Sequence, residues 1–209
     1  MKEKTTAIVL AAGQGKRMHS KIQKQFLEIQ GHPVLYYSLK CFQESPLIHD
    51  IIIVTGEDMI SYCKREIVER YQLTKVSAVI AGGKERYDSV YKGLLACEEC
   101  KYVFIHDGAR PYVNKESIDD LVECLKDYSA GLLMVPCKDT IKEVKDGIVV
   151  KTLKRETLMQ AQTPQVFKSE DIKIAYQKAK DEGFVATDDS QLFERYIDKE
   201  IKVVLGDYG

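Results

Sequence analysis

Short runs of unbroken apolar character, separated by segments with helical spacing, restrict the fold of this sequence more than any other feature. Ile8-Val9-Leu10, IIIVTG (51–56), VSAVIAGG (76–83) and KYVFIHDGARP (101–111) read as strands. PVLYYSLKCFQE (33–44, with Pro33 at its start), DMISYCKREIVERY (58–71) and ERYDSVYKGLLACEEC (85–100) read as the helices between them. Strands that are apolar throughout, without period-two alternation, are buried on both faces, so the order predicts an α/β fold with a mostly parallel sheet covered by helices on both faces. From 140 to 158 the pattern changes. TIKEVKDGIVVKTLKRETL alternates apolar and polar residues around Asp146-Gly147, a two-residue hairpin signal, and residues 138–158 are expected to leave the core as a β-hairpin arm. With 209 residues and no visible linker, repeat or low-complexity segment, one domain over 1–209 is expected.

Ligands of such sheets bind beyond the carboxyl ends of the strands, and those ends carry the unusual residues. They are Gly13 to Arg17 after the first strand, Gly82-Gly83 after the third, and His106-Asp107-Gly108-Ala109-Arg110 after the fourth. In LAAGQGKRM two glycines free the backbone to turn and approach a ligand, while Lys16, Arg17 and the later Lys24 supply cations. The loop lacks the Gly-Lys-Ser/Thr of a Walker A motif and the third glycine of a dinucleotide fingerprint, so it fits a polyphosphate held by several separate contacts. Lys and Arg total 31 against 32 Asp and Glu, a net charge of −1, which gives no overall attraction to nucleic acid or to anionic membranes. The apolar run after MKEKTT is about six residues, far short of the roughly 18 of a spanning helix, and the chain is expected to be cytoplasmic. The six cysteines suit a reduced compartment. Cys97 and Cys100 have metal or redox spacing but no second pair to complete a tetrahedral site, and read first as a helix end.

Taken together, LAAGQGKRM and KQFLEIQGHPVL resemble the signature of sugar and polyol nucleotidyltransferases. GGKERYDSV, HDGARP, AQTPQVF and TDDSQLFE narrow the resemblance to the 2-C-methyl-D-erythritol 4-phosphate cytidylyltransferase family, over nearly the whole chain. The neighbouring ribitol-5-phosphate enzymes usually read HDSVRP where this chain has HDGARP. The resemblance implies a Rossmann-like fold, transfer of CMP from CTP to 2-C-methyl-D-erythritol 4-phosphate with release of pyrophosphate, the ribitol-5-phosphate enzyme being the alternative, a place in isoprenoid precursor synthesis, and Mg²⁺ as cofactor. It also implies that Arg17, Lys24 and Arg155 are catalytic, and that Ala11, Ala12, Gly13, Gly15, Gly83, Ser89 and Asp107 bind the nucleotide. Arg110, Thr140, Arg155, Thr163 and Thr187 would bind the acceptor, and the arm would join a homodimer so that each site borrows residues from its partner.

The residues agree with that chemistry. An acceptor phosphate is already ionised near neutral pH and needs no strong base, so what remains is positioning and charge neutralisation. His106 is then a buried structural imidazole. Asp107 suits Mg²⁺, which takes one or two carboxylates and completes its shell from substrate phosphates, although an Asp at a strand end also caps turns. Arg86 reads either as a surface charge or as a structural residue beside the base. Two departures stand out. The family's proline before the lysine is Gln23 here, which predicts a less constrained loop at Lys24. The sequence stops at VVLGDYG, short of the family's Asn-Ile-Lys segment and final helix, so a C-terminal piece is expected to be missing, and a nucleotide-binding protein without turnover is the rival from another functional class.

Overall fold

The computed structural model describes residues 4–13, 23–97 and 99–208; Gly15, Lys16 and Arg17 of the glycine loop lie outside them. β1 (Thr5–Ala11) is followed by a small ribbon, β2 (Glu28–Ile29) with β3 (His32–Pro33), and by α1 (Val34–Glu44). β4 (Asp50–Thr55) leads to α2 (Ile60–Tyr62), which continues as a π-helix over Cys63–Glu69, and β5 (Val76–Ala81) leads to α3 (Arg86–Ala96). Then come β6 (Tyr102–Asp107), α4 (Lys115–Cys124), β7 (Ala130–Pro136), and a separate hairpin of β8 (Lys142–Lys145) and β9 (Ile148–Thr152). β10 (Met159–Lys168), α5 (Ser169–Glu182), α6 (Asp189–Tyr196) and β11 (Ile201–Leu205) complete the order.

Seven strands form one sheet in the order β11-β7-β10-β6-β1-β4-β5. β10 runs antiparallel to both its neighbours, and the remaining pairs are parallel. All seven residues of β1 are buried, which is why its sequence is a run and not an alternation. Ala7 and Val9 pack among Leu35, Leu39 and Phe42 of α1 and Ile118 of α4. Ile8 and Leu10, on the opposite face, pack among Val90 and Leu94 of α3 and Tyr176 of α5. Helices therefore cover both faces, and the carboxyl ends of β1, β4, β5 and β6 share one edge.

Local chemistry sets the boundaries. Pro33 precedes α1, the Asn114 side chain accepts from the Ser117 N–H to cap α4, and the Asp188 side chain accepts from the Gln191 N–H to cap α6. Asp146 and Gly147 have φ of 51° and 78°, the pair of positive values that a tight hairpin turn demands. α3 ends at Ala96, so Cys97 is its C-cap and not a helical residue. Cys97 and Cys100 are joined as a disulfide, which differs from the reduced pair expected.

His106, near the end of β6, is fully buried and locks the active edge from below. Its Nε2 lies 3.0 Å from the Arg110 carbonyl, which only accepts, so this nitrogen carries the proton. Nδ1 accepts from the Thr163 hydroxyl at 3.0 Å, and that hydroxyl accepts from the Asp107 N–H at 3.1 Å. Thr163 precedes a cis peptide to Pro164, where the register of β10 shifts. Burial keeps the imidazole neutral and outweighs the pull of Asp107, lowering its pKa from an ordinary 6.5 to about 4. In that interval the unfolded chain takes up a proton that the folded chain refuses, so stability falls as pH drops from 6.5 towards 4. At about 1.4 kcal/mol per pH unit, the loss is on the order of 3 kcal/mol. Urea unfolding in the absence of divalent cations, followed from about pH 7 to about pH 4, should show this loss in the native chain and a correspondingly flatter slope in His106→Gln. Equal slopes in both chains would exclude His106 as the source.

Candidate active site

The carboxyl edge is built from three backbone segments pressed close together. Thr55, at the end of β4, donates from Oγ1 to the Ala11 carbonyl at 3.3 Å, and its own carbonyl accepts from the Gly82 N–H at 2.7 Å. A Cβ at Gly82 would stand 2.7 Å from both the Ala12 Cβ and the Ser89 Oγ, so only glycine allows the ends of β1 and β5 and the start of α3 to meet there. Ser89 is buried; its hydroxyl accepts from the Gly83 N–H at 3.0 Å and donates to the Glu85 carbonyl at 3.2 Å, fixing the glycine pair on the first turn of α3. Glu85 and Asp88 complete that turn as a reciprocal capping box. Ala11 is buried, Ala12 half-buried and Gly13 exposed, so the edge opens to solvent where the glycine loop begins.

Lys24 opens a short 3₁₀ turn (Lys24–Phe26) beside Gly13 and is exposed. The buried Gln25 holds this turn, with its Nε2 2.6 Å from the Ala11 carbonyl and 3.1 Å from that of Gly13. Gln23 has φ −66°, the value a proline would impose, and its Oε1 accepts from the Gln25 amide at 2.7 Å.

Across the edge, Asp107 is the meeting point of the charged groups. Its Oδ1 accepts from Arg86 Nε at 3.1 Å, while its Oδ2 lies 3.7 Å from Arg110 Nε, an ion-pair distance too long for a hydrogen bond. Arg86 turns its other two nitrogens on Asp189: Nη1 donates to Oδ1 at 3.0 Å and Nη2 to Oδ2 at 2.7 Å. Asp189 is 0% exposed and also accepts from the Tyr176 hydroxyl. Burial works against the charge on Arg86, but Asp189 and Asp107 more than reverse it and hold the guanidinium above its ordinary pKa. Burial, reinforced by Asp189, raises the Tyr176 phenol well above its usual range, so it remains a donor.

The AQTPQ and TDD motifs meet through Gln165, whose Nε2 donates to Asp188 Oδ2 at 2.9 Å and whose Oε1 accepts from the Ser190 N–H at 3.0 Å. Thr187 is exposed at the rim, bonded to Gln191 Oε1, whereas Thr163 is buried with its hydroxyl spent on His106 and Asp107. Thr140 and Arg155 lie on the arm. Both are exposed, Arg155 Nη1 donates to the Lys138 carbonyl at 2.9 Å, and among the described residues no hydrogen bond or ion pair joins either to Asp107, Arg110, Thr163 or Thr187. One chain thus brings together Ala11, Ala12, Gly13, Lys24, Gly83, Ser89, Asp107 and Arg110, and holds the arm residues apart.

Gln25, Tyr176, Gln165 and Asp189 were not singled out from the sequence. The available signal for Asp189 was charge: GGKER carries an arginine and TDD two acids, in two motifs that the topology brings to one edge. Among the described residues no group of three His, Cys, Asp or Glu could hold a metal alone. Asp107 fits a hard cation only as a single carboxylate, with one oxygen already engaged and phosphates supplying further ligands.

Comparison with known proteins agrees with this geometry. Residues 5–209 match the family model described as "IspD: 2-C-methyl-D-erythritol 4-phosphate cytidylyltransferase". A relative of that name from Geotalea uraniireducens is 44% identical over 208 residues, covering 98% of this chain and 89% of its own. Another from Lachnospira eligens is 46% identical over 202 residues, covering 95% and 88%. The crystal structure of 4-diphosphocytidyl-2C-methyl-D-erythritol synthase from Anaerococcus prevotii superposes with a TM-score of 0.88 at 32% identity, over 99% of this chain and 88% of that one. That of the Francisella tularensis cytidylyltransferase gives 0.79 at 31%, over 98% and 91%. With a family model matched along almost its full length and relatives above 40% identity, the chain belongs to the 2-C-methyl-D-erythritol 4-phosphate cytidylyltransferase family.

Proposed function

We propose that this chain transfers CMP from CTP to the phosphate of 2-C-methyl-D-erythritol 4-phosphate in the cytoplasm, acting as a homodimer with Mg²⁺. The observation that carries the reading is the carboxyl edge itself, where a glycine cradle at Ala12, Gly82 and Gly83 faces Asp107 and Arg110. An acceptor phosphate oxygen forms the new bond to the α-phosphorus, the bond from that phosphorus to the bridging oxygen breaks, and pyrophosphate leaves with its electron pair. Phosphate monoesters lose their second proton near pH 6, so the nucleophile arrives ionised. This suits a site whose one buried imidazole among the described residues is neutral and committed to Arg110 and Thr163. Lys24 and Arg17 are assigned to the charge that grows on the triphosphate, and Arg110 and Thr187 to the acceptor. Ser89 shapes the base pocket by holding Gly83. Bound through Asp107 and the phosphates, Mg²⁺ would neutralise charge on the departing pyrophosphate.

The arm supports the dimer. A two-stranded hairpin is barely stable in water by itself, yet Val144, Ile148, Val149 and Val150 are each more than half exposed. A second copy meeting the same surface would cover them and bring Arg155 to its neighbour's acceptor site. Among the described residues no helix is long and apolar enough to cross a membrane.

Pyrophosphate release from CTP, measured with methylerythritol 4-phosphate and ribitol 5-phosphate in turn, tests the reading. Release should depend on the first acceptor; release with the second alone would reassign the substrate, and CTP binding without release would leave a binding protein. Lys24→Ala should lower kcat by about 10²–10³-fold, a barrier rise of ~2.7–4 kcal/mol, with little change in CTP affinity. Near-normal turnover would remove Lys24 from the mechanism. Mixing inactive Lys24→Ala with inactive Arg155→Ala should restore activity, because the heterodimer rebuilds one intact site. No recovery despite proven subunit exchange would return Arg155 to its own chain and leave the arm structural.

A further inference from the structure

Arg86 spends its three kinds of nitrogen on two carboxylates from distant parts of the chain. In the bidentate pair with Asp189 the carboxylate is fully buried and also held by the Tyr176 hydroxyl, while the Arg86 side chain keeps 34% of its surface exposed. A guanidinium fixed at two nitrogens cannot rotate, so the direction of its remaining Nε–H is set as well. That donor meets Asp107 Oδ1 at 3.1 Å, and among the described residues Oδ2 has only the long approach of Arg110 at 3.7 Å. One oxygen of Asp107 is thereby taken out of service, and the other accepts no hydrogen bond among the described residues.

We propose that Arg86 is a positioning residue: anchored on Asp189, it orients the Asp107 carboxylate so that Oδ2 alone is offered to the divalent cation. The inference rests on the assignment of a cation to Asp107. Lysine cannot replace Arg86, because one ammonium group cannot grip Asp189 at two points and reach Asp107 at a third. The same linkage connects opposite sides of the site, since Arg86 begins α3 below the glycine cradle and Asp189 begins α6 two residues after Thr187. A substitution at Asp189, which the cation never touches, should therefore be felt at the cation.

The test is Mn²⁺ binding to the full chain with CTP and no acceptor, read by electron paramagnetic resonance of free Mn²⁺, so that turnover is not involved. Asp107→Asn tests the assignment of the cation, and an unchanged Mn²⁺ affinity there would overturn both that assignment and this proposal. If Asp107→Asn does weaken binding, Arg86→Lys should weaken it too, by roughly tenfold or more, as loss of partners behind a ligand commonly does. The double variant should bind no more weakly than Asp107→Asn alone, because Arg86 acts only through Asp107. A merely structural role for Arg86 would instead give losses that multiply. Native-like Mn²⁺ affinity in Arg86→Lys, or multiplying losses, would overturn the proposal while leaving the cation assignment intact. Should Arg86→Lys fail to fold, Asp189→Asn takes its place beside Asp107→Asn: weakened binding that does not add to the Asp107→Asn loss supports the proposal, and native-like affinity or multiplying losses overturn it.

Discussion

A charge removed from water must be met by an opposite charge and by hydrogen bonds, and Asp189 is where this chain meets that demand. Its carboxylate is fully buried and is satisfied by two arms of Arg86 and by Tyr176. Removing Arg86 would leave Asp189 as an uncompensated buried charge, at a cost below the ~3–5 kcal/mol of a fully buried pair because Arg86 is 34% exposed, yet the arrangement is stiffer than a surface ion pair. That stiffness matters because of the three elements it joins. α3 follows the glycine cradle, α5 provides Tyr176, and α6 follows the loop bearing Thr187, so the pair holds the helices of one sheet face in register at the active edge.

The opposite face contributes a neutral counterpart. His106 sits above α1, with Phe42 packed edge-on at 5.5 Å and Ser38 3.1 Å from Nε2. Its proton and lone pair are used to tie the Arg110 turn to Thr163 of β10. An uncharged imidazole can bridge a carbonyl and a hydroxyl in an apolar setting at little electrostatic cost, where an imidazolium would need a buried partner. Asp107 thus stands between a charged lock and a neutral lock, held through its side chain by one and through its backbone by the other.

Much of this was legible in the sequence because the physics is local. The apolar runs gave the strands, and Asp146-Gly147 gave the hairpin, since few residue pairs tolerate two positive φ values in succession. The three loops at the carboxyl ends could be named because strands of one direction deliver their ends to one edge. Other features were less visible. The helix read over 58–71 forms, but its hydrogen bonds widen to a π pattern over Cys63–Glu69, a choice that depends on packing. The bonds that hold the Lys24 turn run from Gln25 to the backbone of Ala11 and Gly13, across more than ten residues.

The sequence alone determined the α/β order and the family resemblance, because each depends on neighbouring residues or on motifs read as strings. Tertiary structure decided which side chains are spent holding the site and which remain free for a ligand. From the sequence, Arg86 was a surface charge or a structural residue; in the fold its side chain binds Asp189, 103 residues away, and Asp107, 21 residues away. Thr163 and Ser89 carry hydroxyls that suit a ligand, yet both are turned inward onto partners in the protein itself. Such assignments depend on burial and on distances between remote segments, and those quantities exist only once the chain has closed on itself.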